Sequence, residues 1–252
     1  MNQYETALEW YLMSGVDETS GDSVWRIGDD TGQEKKSVQG SPRLATTDLA
    51  QSSLTAVKSA RGICDDINSL EELKQQMEQF EGCSLKLTAT NMVFGSGNEK
   101  AKILIIGEAP GADEDRVGIP FVGRSGQLLD KMLSAIGVER KDVFITNILP
   151  WRPPGNRAPT SSEISICLPF VKKQIDLVDP DMIFILGGSA ANSLLDNGEP
   201  ISKLRGKWLE YKKANGKQAQ VLASFHPAFL LRTPAQKAKA WADVLRLSKA
   251  LS

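Results

Sequence analysis

The 252 residues hold a single histidine, His226, set in the run Ser224, Phe225, His226 and Pro227. An apolar stretch at 221–225 leads into it and Pro227 closes it off. That places the imidazole at the mouth of a strand, where sheet proteins carry their chemistry. A structural ring with satisfied nitrogens is the bland alternative at this position. Glu108, in Gly107, Glu108, Ala109, Pro110 and Gly111, also follows an apolar run. A carboxylate there suits positioning a water or stabilising a cation, whereas an acidic surface loop is the ordinary reading. The glycine spacing is wrong for a dinucleotide fingerprint, and acidic side chains at 113–115 would repel a pyrophosphate. Phe121 lies among Gly118, Pro120 and Gly123, as either a core plug or a stacking platform for a planar ligand. Asn147 offers an acceptor and a donor side by side, which matches an imide edge. The loop from Trp151 through Arg152, Pro153 and Pro154 to Arg157 carries two arginines suited to phosphate or acid groups.

These residues need a scaffold, and the pattern supplies an α/β one. Residues 102–106, 143–146, 182–186, 204–211 and 221–225 read as strands. Residues 125–136, 161–178 and 235–251 read as helices, the second capped by Ser161 or Ser162. Alternation of this kind predicts a three-layer α/β/α sandwich around a mostly parallel central sheet. Ligand sites in such sheets form at the carboxyl ends of strands. Glu108, Asn147 and His226 all fall just after expected strands.

The first 82 residues differ in kind. Residues 4–13 have helical spacing, 14–48 have the polar composition of a disordered linker, and a helix is expected from Ser69 to about residue 80. The expected division is an acidic, largely disordered N-terminal extension at 1–82 and a catalytic domain at 83–252. The net charge of -1 conceals this split. Residues 1–82 hold 7 Lys+Arg and 15 Asp+Glu, a balance of -8, and the remainder holds 23 and 16, a balance of +7. A basic body facing a polyanion fits these counts, as do two solvated faces of unequal charge. With 41% hydrophobic and 24% charged residues the composition is that of a soluble protein, and no apolar run is long enough to cross a bilayer. Neither a secretory signal nor a disulfide framework is visible among the three cysteines, so a cytoplasmic location is expected.

Taken together, the segments at 88–95, 107–115, 121–130, 146–147, 152–159, 206–208 and 226–232 resemble the uracil-DNA glycosylase superfamily, and most closely its family 4, over about residues 83–251. The resemblance implies hydrolysis of the N-glycosidic bond of uracil in single- or double-stranded DNA, by a monomer without membrane attachment. It implies that Glu108, Glu114 or both order the attacking water or stabilise the oxocarbenium-like sugar. Phe121 would stack on the flipped uracil, Asn147 would read its polar edge, and Gly111 would line the pocket. His226 would hydrogen-bond O2 of the departing base. Leu230 and Leu231 are candidates for the wedge that fills the vacated stack, with core packing as their other reading. Arg157, Lys207 and Arg232 are expected phosphate contacts. Broader base choice (hypoxanthine or xanthine) and a catalytically weak DNA-binding module are the competing expectations. Residues 1–82 could serve a protein partner.

The chain departs from the family in one respect. Family 4 members hold a four-iron four-sulfur cluster on four cysteines, and the aligned positions here are Phe80, Cys83, Trp151 and Cys167. Half of the thiolate ligation is missing. Cys64 lies outside the resembling region. No cluster is expected, with apolar packing of Phe80 and Trp151 in its place. The histidine with which a related subgroup traps the abasic sugar, in an insertion after the Arg-Pro-Pro loop, has no counterpart here, so ordinary turnover is expected.

Overall fold

A computed structural model of the chain describes residues 46–251. The expected helix at 4–13 and all but the last residues of the expected linker at 14–48 lie outside the described residues. Six strands form one sheet: β1 (Ser96–Gly97), β2 (Ile103–Gly107), β3 (Val143–Asn147), β4 (Met182–Leu186), β5 (Trp208–Lys212) and β6 (Gln218–Ser224). Their spatial order is β1-β3-β2-β4-β6-β5. The four inner strands are parallel, and β1 and β5 add on antiparallel at the edges.

Strands β2, β3 and β4 are buried along their whole length, which explains why they read as continuous apolar runs rather than alternating ones. The period of two still decides which layer each side chain joins. Leu104, Ile106, Ile183, Ile185, Val221 and Ala223 point into one core. Ile103, Ile105, Met182, Phe184 and Leu222 point into the other. The first core is covered by helices α1 (Thr46–Asp65), α2 (Leu70–Gln79) and α5 (Ser161–Val178). The second is covered by α4 (Arg124–Ser134) and α9 (Lys237–Leu251). The expected three-layer architecture is therefore the observed one. Short helices α3 (Ala112–Val117), α6 (Gly188–Leu195), α7 (Ile201–Leu204) and α8 (Pro227–Arg232) complete the fold. Among the described residues no helix is long and apolar enough to cross a membrane.

The structure differs from the sequence expectations at several boundaries. Helices α1 and α2 belong to the stretch assigned to the extension, yet Ala60, Ile67, Leu70, Leu73, Met77 and Phe80 are buried in the first core. The amphipathic spacing of α1 is masked by its many small and polar residues, so its length escaped notice. Helix α5 is capped by Thr160, whose hydroxyl accepts from the Glu163 N–H at 3.2 Å while Glu163 accepts from the Thr160 N–H at 2.8 Å. This reciprocal box outcompetes either serine. The strand expected at 204–211 starts only at Trp208. Pro200 opens the helical turn α7, and Gly206, at φ 71°, breaks the chain before the strand.

Candidate active site

The chain runs from β2 to β3 on one side and then returns past β2 to β4 on the other, so the direction of winding reverses at β2. The crevice outside the carboxyl ends at such a reversal is where α/β sheets bind ligands. A cavity of about 440 Å³ lies there. It gathers eight of the residues singled out by sequence: Glu108, Gly111, Glu114, Phe121, Asn147, Arg157, His226 and Arg232. Ser125, in the first turn of α4, adds a hydroxyl that sequence reasoning missed.

Backbone pairing past the strand ends places Glu108 beside Asn147. The Ile148 and Leu149 N–H groups donate to the carbonyls of Gly107 and Glu108 at 2.9 and 3.0 Å. Gly107 pairs with Asn147 in the ladder, and only glycine fits. A Cβ there would lie 2.3 Å from Asn147 Oδ1 and 2.6 Å from the Phe121 ring. The chain is bare at this position so that an amide and an aromatic ring can close over it.

Phe121 is buried and has φ 55°, a left-handed conformation uncommon for a large aromatic residue. Its ring lies 5.6 Å from the His226 ring at an interplanar angle of 29°. Glu114 stands behind this loop. Its carboxylate accepts from the N–H groups of Val122 and Gly123, both at 2.9 Å, and of Gly111 at 3.1 Å. Two pocket loops are thus tied to one buried side chain, and most of its acceptor capacity is used. Glu108 has no such tether among the described hydrogen bonds and faces the cavity.

His226 caps α8. Its Nδ1 accepts from the Ala228 N–H at 3.1 Å, which assigns the mobile proton to Nε2. Burial, reinforced by the Arg232 charge and only partly opposed by Glu114, lowers its pKa to about 4. The ring is therefore a neutral Nε2–H donor near pH 7.

The remaining candidates separate by geometry. Leu230 is 1% exposed and packs in the second core, whereas Leu231 is half-buried and belongs to neither core. Leu230 is accordingly corrected from wedge candidate to core residue, because consecutive helical positions face about 100° apart. Leu231 keeps its candidacy. Arg232 is exposed at the cavity rim. Arg157 lines the cavity, but its guanidinium forks onto Glu163 at 2.6 and 2.9 Å. Lys207 is exposed outside the residues that line the cavity.

The aligned cluster positions converge but do not fit a cluster. Cys83 and Cys167 are buried with their sulfurs 3.9 Å apart in a thiol hydrogen bond. That bond pulls the Cys83 thiol down and pushes the Cys167 thiol up. Phe80 meets Phe170 edge-on at a centroid distance of 5.1 Å, and Trp151 is fully buried. The aromatic side chains at the other two aligned positions are buried and offer no ligand atom. Cys64 sits half-buried on α1, where burial raises its thiol to about 11. No third His, Cys, Asp or Glu joins the pair among the described residues.

Residues 94–245 match the family model described as the uracil DNA glycosylase superfamily. The chain is 42% identical over 172 residues to the Type-4 uracil-DNA glycosylase of Archaeoglobus fulgidus, covering 67% of this chain and 86% of the relative. It is 40% identical over 167 residues to the Type-4 uracil-DNA glycosylase of Thermotoga maritima, covering 65% and 83% of the two chains. Similarity to the Type-4 uracil-DNA glycosylase of Pyrobaculum aerophilum is 39% over 179 residues, covering 69% and 91%.

Proposed function

Because the chain belongs to the uracil DNA glycosylase superfamily, we propose that it is a uracil-DNA glycosylase of DNA repair, cutting the N-glycosidic bond of uracil in DNA to leave an abasic site. The observation that carries the proposal is the convergence of Glu108, Phe121, Asn147 and His226 on one cavity at the carboxyl ends of the sheet. The buried C1′–N1 bond of a stacked nucleotide is out of reach, so the base is extruded into this cavity. Phe121 stacks on the uracil, and the Asn147 amide pairs with its imide edge. As the C1′–N1 bond breaks, its electrons pass to the base, and the His226 Nε2–H donates to the O2 on which negative charge grows. Water held by Glu108 bonds to C1′, and its proton passes to the carboxylate. Glu108 takes this role in preference to Glu114, whose carboxylate is committed to three backbone N–H groups.

Residues 83–252 carry the catalytic site, α1 and α2 pack into the first core of the same fold, and of residues 1–82 those ahead of α1 are offered to a protein partner. The enzyme is a cytoplasmic monomer acting on single- or double-stranded DNA, with Lys207 and Arg232 facing phosphates and Leu231 as the wedge, while the Arg157 guanidinium, expected to face a phosphate, is held by Glu163. Catalysis proceeds without an iron-sulfur cluster, and purified protein is expected to contain no stoichiometric iron. Bound iron with broad visible absorption would overturn that statement.

The decisive experiment incubates the protein with oligonucleotides carrying uracil, hypoxanthine or a normal base and then cleaves abasic sites with alkali. Cutting at uracil alone is expected. Equal cutting at hypoxanthine would replace the proposal with a broader base choice, and binding without cutting would remove the enzymatic function. Leu231→Ala is expected to slow excision from duplex DNA roughly tenfold while sparing single strands, since only a duplex has a stack to fill. By contrast, Leu230→Ala is expected to cost about 2–5 kcal/mol of stability, read by chemical denaturation.

A further inference from the structure

We propose that Arg140 is a positioning residue that sets the aromatic wall of the pocket, acting through Phe121. This rests on the glycosylase function proposed above. Arg140 opens the 3₁₀ turn Arg140–Asp142 that leads into β3. Its guanidinium spans two consecutive carbonyls, those of Pro120 (3.1 Å) and Phe121. The Nε–H of the same group donates to Asp130 Oδ1 on α4 at 2.7 Å, which aims the fork. Consecutive peptide carbonyls do not ordinarily face one donor. They do so here because Phe121 has φ 55°, a conformation that costs of order 1–3 kcal/mol for a side chain of this kind and persists only where its surroundings enforce it.

The enforcement is two-sided. Arg140 holds the carbonyls of residues 120 and 121, and Glu114 holds the N–H groups of residues 122 and 123 from the opposite side. The Phe121 carbonyl is also tucked against Gly126, where a Cβ would lie 1.7 Å from its oxygen. With the guanidinium gone, the peptide between Phe121 and Val122 loses its main acceptor-side anchor. The residue relaxes toward negative φ and the ring swings away from the plane that a bound base would occupy. The ion pair with Asp130 is itself substantially exposed, at 32% and 43% for the two side chains. Such a pair contributes little stability, so its value lies in orientation. Arg140 touches neither the cavity nor a reacting atom, and no local sequence signal links it to Phe121, 19 residues away.

The test is a double-mutant cycle on single-turnover uracil excision. Arg140→Met is expected to slow excision by ~10–100-fold, the usual cost of misplacing a contacting group by about an ångström, with affinity for undamaged duplex changed less than ~2-fold. In a Phe121→Leu background the same substitution is expected to cost less than ~3-fold, because coupled residues are non-additive. Arg140→Lys keeps the charge and part of the donor set and is expected to fall between the two, so the cycle remains measurable if the methionine variant does not fold. A full-sized loss in the Phe121→Leu background, or a wild-type rate in a folded Arg140→Met protein, would overturn the proposal. A wild-type protein that releases no uracil would instead overturn the glycosylase function on which it rests.

Discussion

Asn147→Ala is expected to lower the single-turnover rate of uracil release by ~10²–10³-fold, the usual consequence of removing one preorganised polar group from a water-poor site. The residue is 3% exposed, so its amide meets little water and a base that fails to pair with it leaves buried polar groups unmatched. Little else depends on the side chain. Asn147 ends β3, and its backbone stays in the ladder with Gly107 whatever the side chain. The melting temperature is therefore expected to shift by only a few degrees, within what about 1 kcal/mol produces. Gly107→Ala provides the converse test. It leaves every functional group in place but inserts a methyl 2.3 Å from Asn147 Oδ1 and 2.6 Å from the Phe121 ring. A loss comparable to that of Asn147→Ala is expected, accompanied by lower stability because both neighbours must shift. If the alanine at 147 retains wild-type activity in a folded protein, the pocket assignment is wrong.

His226→Ala is expected to cost ~10²-fold or more in the same assay, because a donor aimed at developing charge disappears. The pH profile identifies the protonation state. With a pKa near 4 and Nδ1 occupied as an acceptor, the ring is neutral throughout pH 5–8, and no histidine step is expected in the rate over that range. As the only histidine in the chain, it is also the only imidazole that could produce one. A step near the ordinary histidine value would show that the cation is the working species. Stability changes in a fixed direction. The folded pKa lies below the unfolded value near 6.5, so the unfolded chain binds the proton first. Stability therefore falls as pH drops from about 6.5 toward about 4, by up to ~3 kcal/mol from this group, and does not fall further below that. Removing the imidazole should flatten that part of the curve, as read by denaturant midpoints across the same pH range.

Much of the scaffold was legible because its signals are local. Short apolar runs such as 103–106 and 182–186 need no partner to be recognised as buried parallel strands, and the residues that follow them necessarily project from one edge of the sheet. Where a signal depended on what packs alongside, it failed. Helix α1 has too few large apolar residues to announce itself, yet its Ala60 is fully buried because small side chains suit close helix contact. Thr160 replaced the serines as cap because Glu163 could answer it three residues on. Leu230 and Leu231 are chemically identical neighbours, and only the rotation of α8 against the second core separates the packed one from the half-buried one.

The sequence by itself determined the chemical inventory: a carboxylate, an amide and an imidazole placed at the ends of expected strands, and an aromatic ring on a glycine-rich loop, in an order that resembles one enzyme family. Those properties follow from residue type and short-range pattern, which tertiary contacts do not alter. Only the tertiary structure decided how the inventory is used. It neutralised His226 by burial and a backbone hydrogen bond, and committed Glu114 to three N–H groups. It bound Arg157 to Glu163 and brought Arg140 under the loop that shapes the aromatic wall. Each of these outcomes depends on desolvation or on a partner distant in sequence, and such energies exist only once the chain has closed around the site.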